Sequence, residues 1–144
     1  MKYPHGIGIG NSFRCSIRND IDDINLGGNM TQIVRVYSGS DGESHFEDLT
    51  ADQFAEIANR KGSGEIMLNQ RQSPTEEDYH NAPRLQYVVN LQGDSEYEVA
   101  DGTRKRLRPG DILVAEDLEG HGHIARNIGT GVRISLAVPL RPTS

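Results

Sequence analysis

The chain has 144 residues, a formal net charge of −6 and a pI near 5.3. This length suits one domain with a real hydrophobic core, and the 16 glycines favour a structure with many tight turns over a helical bundle. The acidic balance argues against nucleic acid as a partner, since such surfaces must neutralise phosphates. The single cysteine, Cys15, excludes an intrachain disulfide.

Neither a membrane segment nor a signal peptide is visible in the sequence. No stretch approaches the roughly 18 apolar residues that a membrane span needs. The first residues also lack the charged and then apolar layout of a secretory signal. The sequence therefore predicts a cytoplasmic protein that has no membrane partner.

Residues 1–30 differ from the rest of the chain because they are polar and show no periodic pattern. A regular apolar pattern begins at residues 32–37. We predict an N-terminal extension or arm over residues 1–30, followed by one domain over residues 31–140.

One short helix is predicted after Thr50. Thr50 and Gln53 have the spacing of a capping box, in which each side chain satisfies a backbone N–H of the first helical turn. Phe54 and Ile57 follow at helical spacing, and Gly62 supplies a stop.

Short strands separated by turn residues account for the remainder. Asp101-Gly102 favours a tight hairpin, and Ser73-Pro74 is expected to end a strand. The eight predicted strands are residues 32–37, 65–72, 84–91, 96–100, 103–107, 112–116, 121–127 and 132–138. Such regular spacing predicts an all-β fold, an antiparallel sandwich or barrel.

Residues 84–91 form the clearest predicted strand, and their two faces differ. Alternate side chains of a strand point to opposite sides, so Arg84 and Gln86 share one polar face with Val88 and Asn90. This polar face predicts a pocket. The opposite face is apolar throughout, so we predict that another part of the protein packs on it and propose the second subunit of a homodimer for this role.

Two segments carry motifs. The first runs from His80 to Gly93, and the second runs from Gly110-Asp111 through Glu116-Asp117 to Gly120-His121-Gly122-His123 and ends at Asn127. They resemble the two motifs of the cupin superfamily over residues 31–140. The resemblance implies a jelly-roll β-barrel around a small-molecule pocket that contains His80, Gln86 and His123.

Metal-binding cupins hold a divalent ion with histidines and a carboxylate from these motifs. The resemblance therefore implies a candidate metal site on His80, Gln86 and His123. This chain departs from the pattern, because Ala82 replaces a histidine and Gln86 replaces the acid. A lost imidazole and a lost anion weaken the attraction for a divalent cation. A divalent metal ion is therefore an open question.

Four further residues are candidates for the pocket. Glu116 shares its parity with Ile112 and Val114, and it is a candidate catalytic group beside His80 and His123. Arg84, His121 and His45 are candidate substrate-binding residues, and Arg84 suits a bidentate contact with a carboxylate. The alternatives are a loop carboxylate that caps backbone amides for Glu116, a solvated or ion-paired side chain for Arg84, and a surface position for the two histidines.

Two functions are compatible with this pattern. The first is an enzyme of isomerase, lyase, cyclase or oxygenase type that acts on a small oxygenated or carboxylate metabolite in the barrel pocket. The second is a non-catalytic cupin that binds or senses a ligand without metal. The sequence alone does not decide between them, because this fold carries many activities.

Overall fold

The computed structural model describes residues 30–60 and 62–142, and it is all-β apart from one short helix, as predicted. The predicted extension, residues 1–30, lies outside the described residues except for Met30. Within the described ranges, no helix is long and apolar enough to cross a membrane. The elements are β1 (Ile33–Ser38), β2 (Ser44–Asp48), α1 (Ala51–Ala58), β3 (Met67–His80), β4 (Gln86–Gln92), β5 (Asp94–Glu98), β6 (Arg104–Leu107), β7 (Ile112–Glu116) and β8 (His123–Pro139).

The strands form one sheet in the order β2-β1-β7-β4-β8-β5-β6, with β3 paired to β8. The long strand β8 joins the β2-β1-β7-β4 part of this sheet to the β5-β6 part. Its first part pairs with β5, its last part pairs with β4, and β3 runs antiparallel along both parts. The sheet curls into a half-barrel, so one face becomes concave.

Two strand predictions need correction. The predicted strands 121–127 and 132–138 are parts of the single strand β8. Strand β3 also continues beyond Ser73-Pro74 to His80, with a register shift between Ser73 and Thr75. A proline cannot donate a ladder hydrogen bond, but a bulge in a strand with one neighbour tolerates it, so the strand does not end there.

Not all strands pair antiparallel, although the sequence predicted an antiparallel sandwich or barrel. Strands β1 and β7 pair in parallel, with Val34 opposite Leu113 and Val36 opposite Ala115. No hairpin joins these two strands, since most of the domain lies between them in sequence, and a long connection allows parallel pairing. Strand β2, which the sequence analysis missed, pairs antiparallel with the other edge of β1.

The two faces of the sheet have different covers. Most of the buried apolar side chains form one cluster, which includes Val34, Val36, Tyr97, Val99, Leu107 and the cavity-lining Leu113 and Ala115. On the outer face, Phe54 of α1 packs edge-on against Tyr87 of β4, with ring centroids 6.0 Å apart. The helix begins at the predicted capping box of Thr50 and Gln53. It therefore covers part of the apolar face that the sequence assigned to a second subunit.

Candidate functional site

A cavity of about 470 Å³ lies on the concave face of the sheet. Four of the predicted site residues line it: His80, Arg84, Gln86 and His123. The alternation predicted for residues 84–91 holds, because Gln86 and Val88 face the cavity while Tyr87 packs on α1. Side chains at alternate positions of β8 complete one wall: His123, Ala125, Asn127, Arg133, Ser135 and Ala137.

Gly122 brings the two cavity histidines together. It has a φ of +87°, and a Cβ at this position would lie 2.2 Å from the carbonyl oxygen of His80. Only a glycine allows the loop before β8 to approach the end of β3 so closely. The imidazole rings of His80 and His123 consequently lie with their centroids 4.7 Å apart.

His123 is held from behind by a buried carboxylate. Its Nδ1 lies 2.6 Å from Oδ2 of Asp117, and the hydroxyl of Ser44 donates to the same oxygen at 2.7 Å. His123 is 4% exposed and Asp117 is fully buried. A carboxylate oxygen accepts hydrogen bonds, so Nδ1 of His123 is the donor in this contact, and Nε2 is the ring nitrogen that remains for the cavity.

His80 has the same tautomer for a different reason. Its Nδ1 lies 2.8 Å from the backbone carbonyl oxygen of Asp78, which can only accept, so Nδ1 donates. The Nε2 atom of His80 lies 4.0 Å from a carboxylate oxygen of Glu77. The cavity thus contains two adjacent imidazoles, each of which has its Nδ1 bonded to an oxygen acceptor.

The amide of Gln86 is already engaged. Its Oε1 accepts a hydrogen bond of 2.9 Å from Nε of Arg84, whose Nη2 lies 3.1 Å from the sulfur of Met67. Gln86 is buried at 8% exposure, and Ala82 lines the same wall. The side-chain oxygen of Gln86 therefore faces a guanidinium cation, an environment that disfavours a second cation beside it.

The donor set at the cavity does not fit the metal that the resemblance implies. Within residues 30–60 and 62–142, no group of three His, Cys, Asp or Glu side chains is arranged to hold a metal ion. His80 and His123 remain as two neutral ligands, and Gln86 is bonded to Arg84. Divalent metals in proteins need more ligands than these, and usually an anion among them.

Glu116 lies away from the cavity. The cavity is lined by Leu113 and Ala115 of β7, whereas Glu116 has the opposite parity. Its carboxylate accepts from Nε of Arg35 at 2.9 Å and from Nη1 of Arg60 at 3.4 Å. These contacts tie the outer face of β7 to β1 and to Arg60, which lies two residues after α1. They describe a structural role for this side chain.

We expect Glu116→Gln to lower the free energy of unfolding by about 1–2 kcal/mol, because two partly buried guanidinium groups then lose an anionic partner. The side chain of Glu116 is 16% exposed, and that of Arg60 is 14% exposed. Urea denaturation checks this value. Glu47→Gln is the matched control: Glu47 bonds the same Arg35 but is 40% exposed, so its loss should be smaller. Equal losses in the two variants would contradict the expectation.

His45 and His121 also lie outside the cavity lining. His45 bonds the carboxylate of Asp41 at 2.9 Å, and the pKa of Asp41 is lowered, first by the backbone N–H of Glu43 and then by the His45 side chain. His121 bonds the carboxylate of Glu43 at 2.9 Å and stacks on Tyr79 with ring centroids 3.9 Å apart. The structure therefore places both histidines against their own partners.

Sequence reasoning missed several residues of the site. Asp117 follows Glu116 in the second motif, and its parity with Ala115 could have indicated an inward carboxylate. Ser44 gave no such signal, because its contact with Asp117 spans 73 positions of the chain. Arg133 and Tyr97 line the cavity from strands whose inward faces were not assigned.

Comparisons with known proteins give little further information. No protein-family model matches this chain, and no curated protein matches it. A solved structure described as "protein NMB1881 from Neisseria meningitidis" is similar with a TM-score of 0.41 and 14% identity. The match covers 66% of this chain and 100% of that chain. A similarity of this size indicates no function.

Proposed function

We propose that the domain is a cupin-type jelly roll whose cavity binds and transforms a small oxygenated or carboxylate metabolite. Two residues that match the cupin motifs, His80 and His123, line one cavity of a curled, mostly antiparallel sheet together with Gln86. A volume of about 470 Å³ is in the range of small-molecule sites. The pocket is concave and partly apolar, with a few converging polar groups, as such sites usually are.

The observation that carries an enzymatic role is the hydrogen bond of 2.6 Å between Asp117 and His123. A fixed Nδ1–H leaves Nε2 of His123 as a general base directed at the cavity. The buried carboxylate also stabilises the imidazolium that forms when this base takes a proton. His80, 4.7 Å away between ring centroids, is a second group that can accept or return a proton.

Proton transfer of this kind serves an isomerase, a cyclase or a lyase: the first two return the proton to another atom of the substrate, and a lyase gives it to the leaving group as a double bond forms. The residues of the cavity can carry out such steps without a metal. His123 removes the proton through Nε2, Asp117 holds the ring in place and stabilises the imidazolium, and this imidazolium returns the same proton, directly or through the adjacent His80.

A non-catalytic ligand-binding role is the alternative, and it is supported by Ala82 and Gln86, which stand where the metal-binding motif has a histidine and an acid. Both readings place the ligand in the same cavity. Both also retain the proposed homodimer, which would cover exposed apolar side chains on the outer face, such as Leu68 and Leu91.

We expect the wild-type protein to consume at least one metabolite of a cell extract with multiple turnovers, as followed by mass spectrometry. His123→Ala should reduce the rate by about 10²–10⁴-fold, and His80→Ala should also reduce it, since general acid–base groups contribute on that scale. His45→Ala is the matched control, because His45 bonds Asp41 outside the cavity. Unchanged turnover in both cavity variants would sink the enzymatic proposal. Stoichiometric binding of a metabolite without turnover would favour the binding role.

A further inference from the structure

The lining of the cavity is rich in cations although the protein is acidic overall. Four arginines and one glutamate contribute to it, whereas the whole chain has a net charge of −6. Clustered charge of one sign in a cleft focuses the electric field and raises the local concentration of oppositely charged ligands. The charge of this lining therefore favours an anion over a neutral or cationic molecule.

Two of the four arginines are already neutralised. Arg71 forms an ion pair of 2.6 Å with Glu77, and Arg126 pairs with Glu96 at 3.2 Å and with Glu98 at 2.8 Å. The other two, Arg84 and Arg133, have no acidic partner among residues 30–60 and 62–142. A partly buried cation that lacks an anion is costly, so such groups usually await a ligand or serve one.

Arg133 is held in a fixed orientation by Asn90. Its Nε and Nη2 atoms both donate to Oδ1 of Asn90, the first at 3.2 Å. Asn90 is only 1% exposed, and its own amide nitrogen donates to the hydroxyl of Ser95 at 3.1 Å and to the carbonyl of Leu107 at 3.0 Å. Asn90 therefore cannot rotate without losing several hydrogen bonds, and it fixes the guanidinium before any ligand arrives.

The contact with Asn90 uses one side of the guanidinium and leaves another. Nη2 of Arg133 also donates to the hydroxyl of Tyr97 at 3.5 Å, a long contact that a ligand carboxylate can replace. Together with Nη1, it then offers the two-point pattern that a carboxylate accepts. The ring of the same tyrosine packs edge-on against His123, with centroids 5.7 Å apart. Tyr97 thus lies between Arg133 and the imidazole.

We propose that Arg133 binds a carboxylate of the ligand, with Nη1 and Nη2 each donating to one carboxylate oxygen. Tyr97 sets the separation between this carboxylate and Nε2 of His123. The inference rests on the proposed small-molecule function of the cavity and adds the chemical class of the ligand. Arg133 is then a substrate-binding residue, and Asn90 is a positioning residue behind it.

Matched pairs of small molecules test this assignment. The probes are phenylacetate with phenylacetamide and hexanoate with hexanamide, each pair having the same shape but a different charge. Ligand-observed NMR reports their affinities, and the guanidinium signals of Arg133 in the wild-type protein report contact directly. We expect each carboxylate to bind at least tenfold more tightly than its amide and to shift the Arg133 signals.

Three variants sharpen the test. Arg133→Met should remove the preference for the carboxylate, and Arg133→Lys should retain only part of it, because an ammonium keeps the charge but lacks the planar two-point donor. Arg71→Met is the matched control: it removes the same charge from the same lining, but from a group already paired with Glu77. It should leave the preference in place. Circular dichroism checks that each variant is folded.

The outcomes separate this inference from the proposal on which it rests. Amides that bind as tightly as carboxylates in the wild-type cavity, or a preference that survives in Arg133→Met, would overturn the carboxylate site and leave the small-molecule cavity standing. If neither member of either pair shifts the signals of His123 or Arg133, both proposals fail together.

Discussion

Alanine at position 122 is expected to lower the free energy of unfolding by about 3 kcal/mol or more, since a left-handed backbone and an overpacked contact both penalise it. The φ of Gly122 is +87°, and an added Cβ would meet the carbonyl oxygen of His80 at 2.2 Å. The neighbouring atom belongs to the backbone, so it cannot move aside as the end of a flexible side chain can. Urea denaturation followed by circular dichroism measures the loss.

Gly102→Ala provides the matched control for this substitution. Gly102 has a similar φ of +89°, but no atom lies within 4 Å of an added Cβ. Its substitution should therefore cost only the conformational penalty of about 1–2 kcal/mol. The difference between the two variants isolates the contact with His80. If both variants lose the same stability, Gly122 does not position the histidine pair.

Gly122→Ala should change the geometry of the site as well as lower the stability of the fold. The backbone of His80 must retreat to make room, and the separation of 4.7 Å between the two imidazole centroids must then change. Position 120, two residues earlier, also requires a glycine, since an added Cβ there would lie 2.6 Å from the carbonyl oxygen of Gly42. The two glycines of the second motif are therefore needed for close backbone approaches, first to the β1–β2 loop and then to the end of β3.

Local patterns predicted much of this fold. The capping box at Thr50, the hairpin around Asp101-Gly102 and the bounds of β7 follow from short-range chemistry, and the structure confirms them. The predictions that failed depend on partners far away in sequence. Strand β3 passes through Pro74 because β8 holds it on both sides of a bulge, and β1 pairs in parallel with β7 across most of the domain. No local pattern encodes such contacts.

The candidate site likewise contains residues that local patterns predicted and residues that they did not. The strand parity of residues 84–91 placed Gln86 on the cavity wall, since alternation is a local property. The parity of Glu116 with Ile112 and Val114 was also recognised, but which face of β7 is concave depends on the curl of the whole sheet. Ser44 and Arg133 enter the site through strands that become neighbours only in the folded domain, so their roles were not predictable from spacing.

Removal of the buried carboxylate of Asp117 is expected to have a comparably large effect. Asp117→Ala should lower the free energy of unfolding by about 3–5 kcal/mol, as is typical when one partner of a buried charged hydrogen-bond pair is deleted. Two donors lose their acceptor at once: Nδ1–H of His123 at 2.6 Å and the hydroxyl of Ser44 at 2.7 Å. Both Ser44 and Asp117 are at most 1% exposed, so these donors lie away from bulk solvent.

Asp48→Ala is the matched control for the carboxylate. Asp48 bonds Lys105 at 2.8 Å, but its side chain is 65% exposed, so its removal should cost about 1 kcal/mol or less. A second measurement separates positioning from simple stability. Nitrogen NMR of the imidazoles should show His123 in wild-type protein with its proton on Nδ1, and a mixture of both tautomers in Asp117→Asn, whose amide can donate as well as accept.

The Asp117→Asn variant decides the role of the carboxylate because it retains the shape of the side chain while removing its charge. If Asp117 only fills space, this variant should keep the tautomer of His123 and the turnover of the wild-type protein. If it orients the base, the Nδ1–H tautomer and the turnover should decline together, since a ring with its proton on Nε2 has no lone pair for the cavity. A change in tautomer with unaltered turnover would show that His123 is not the base.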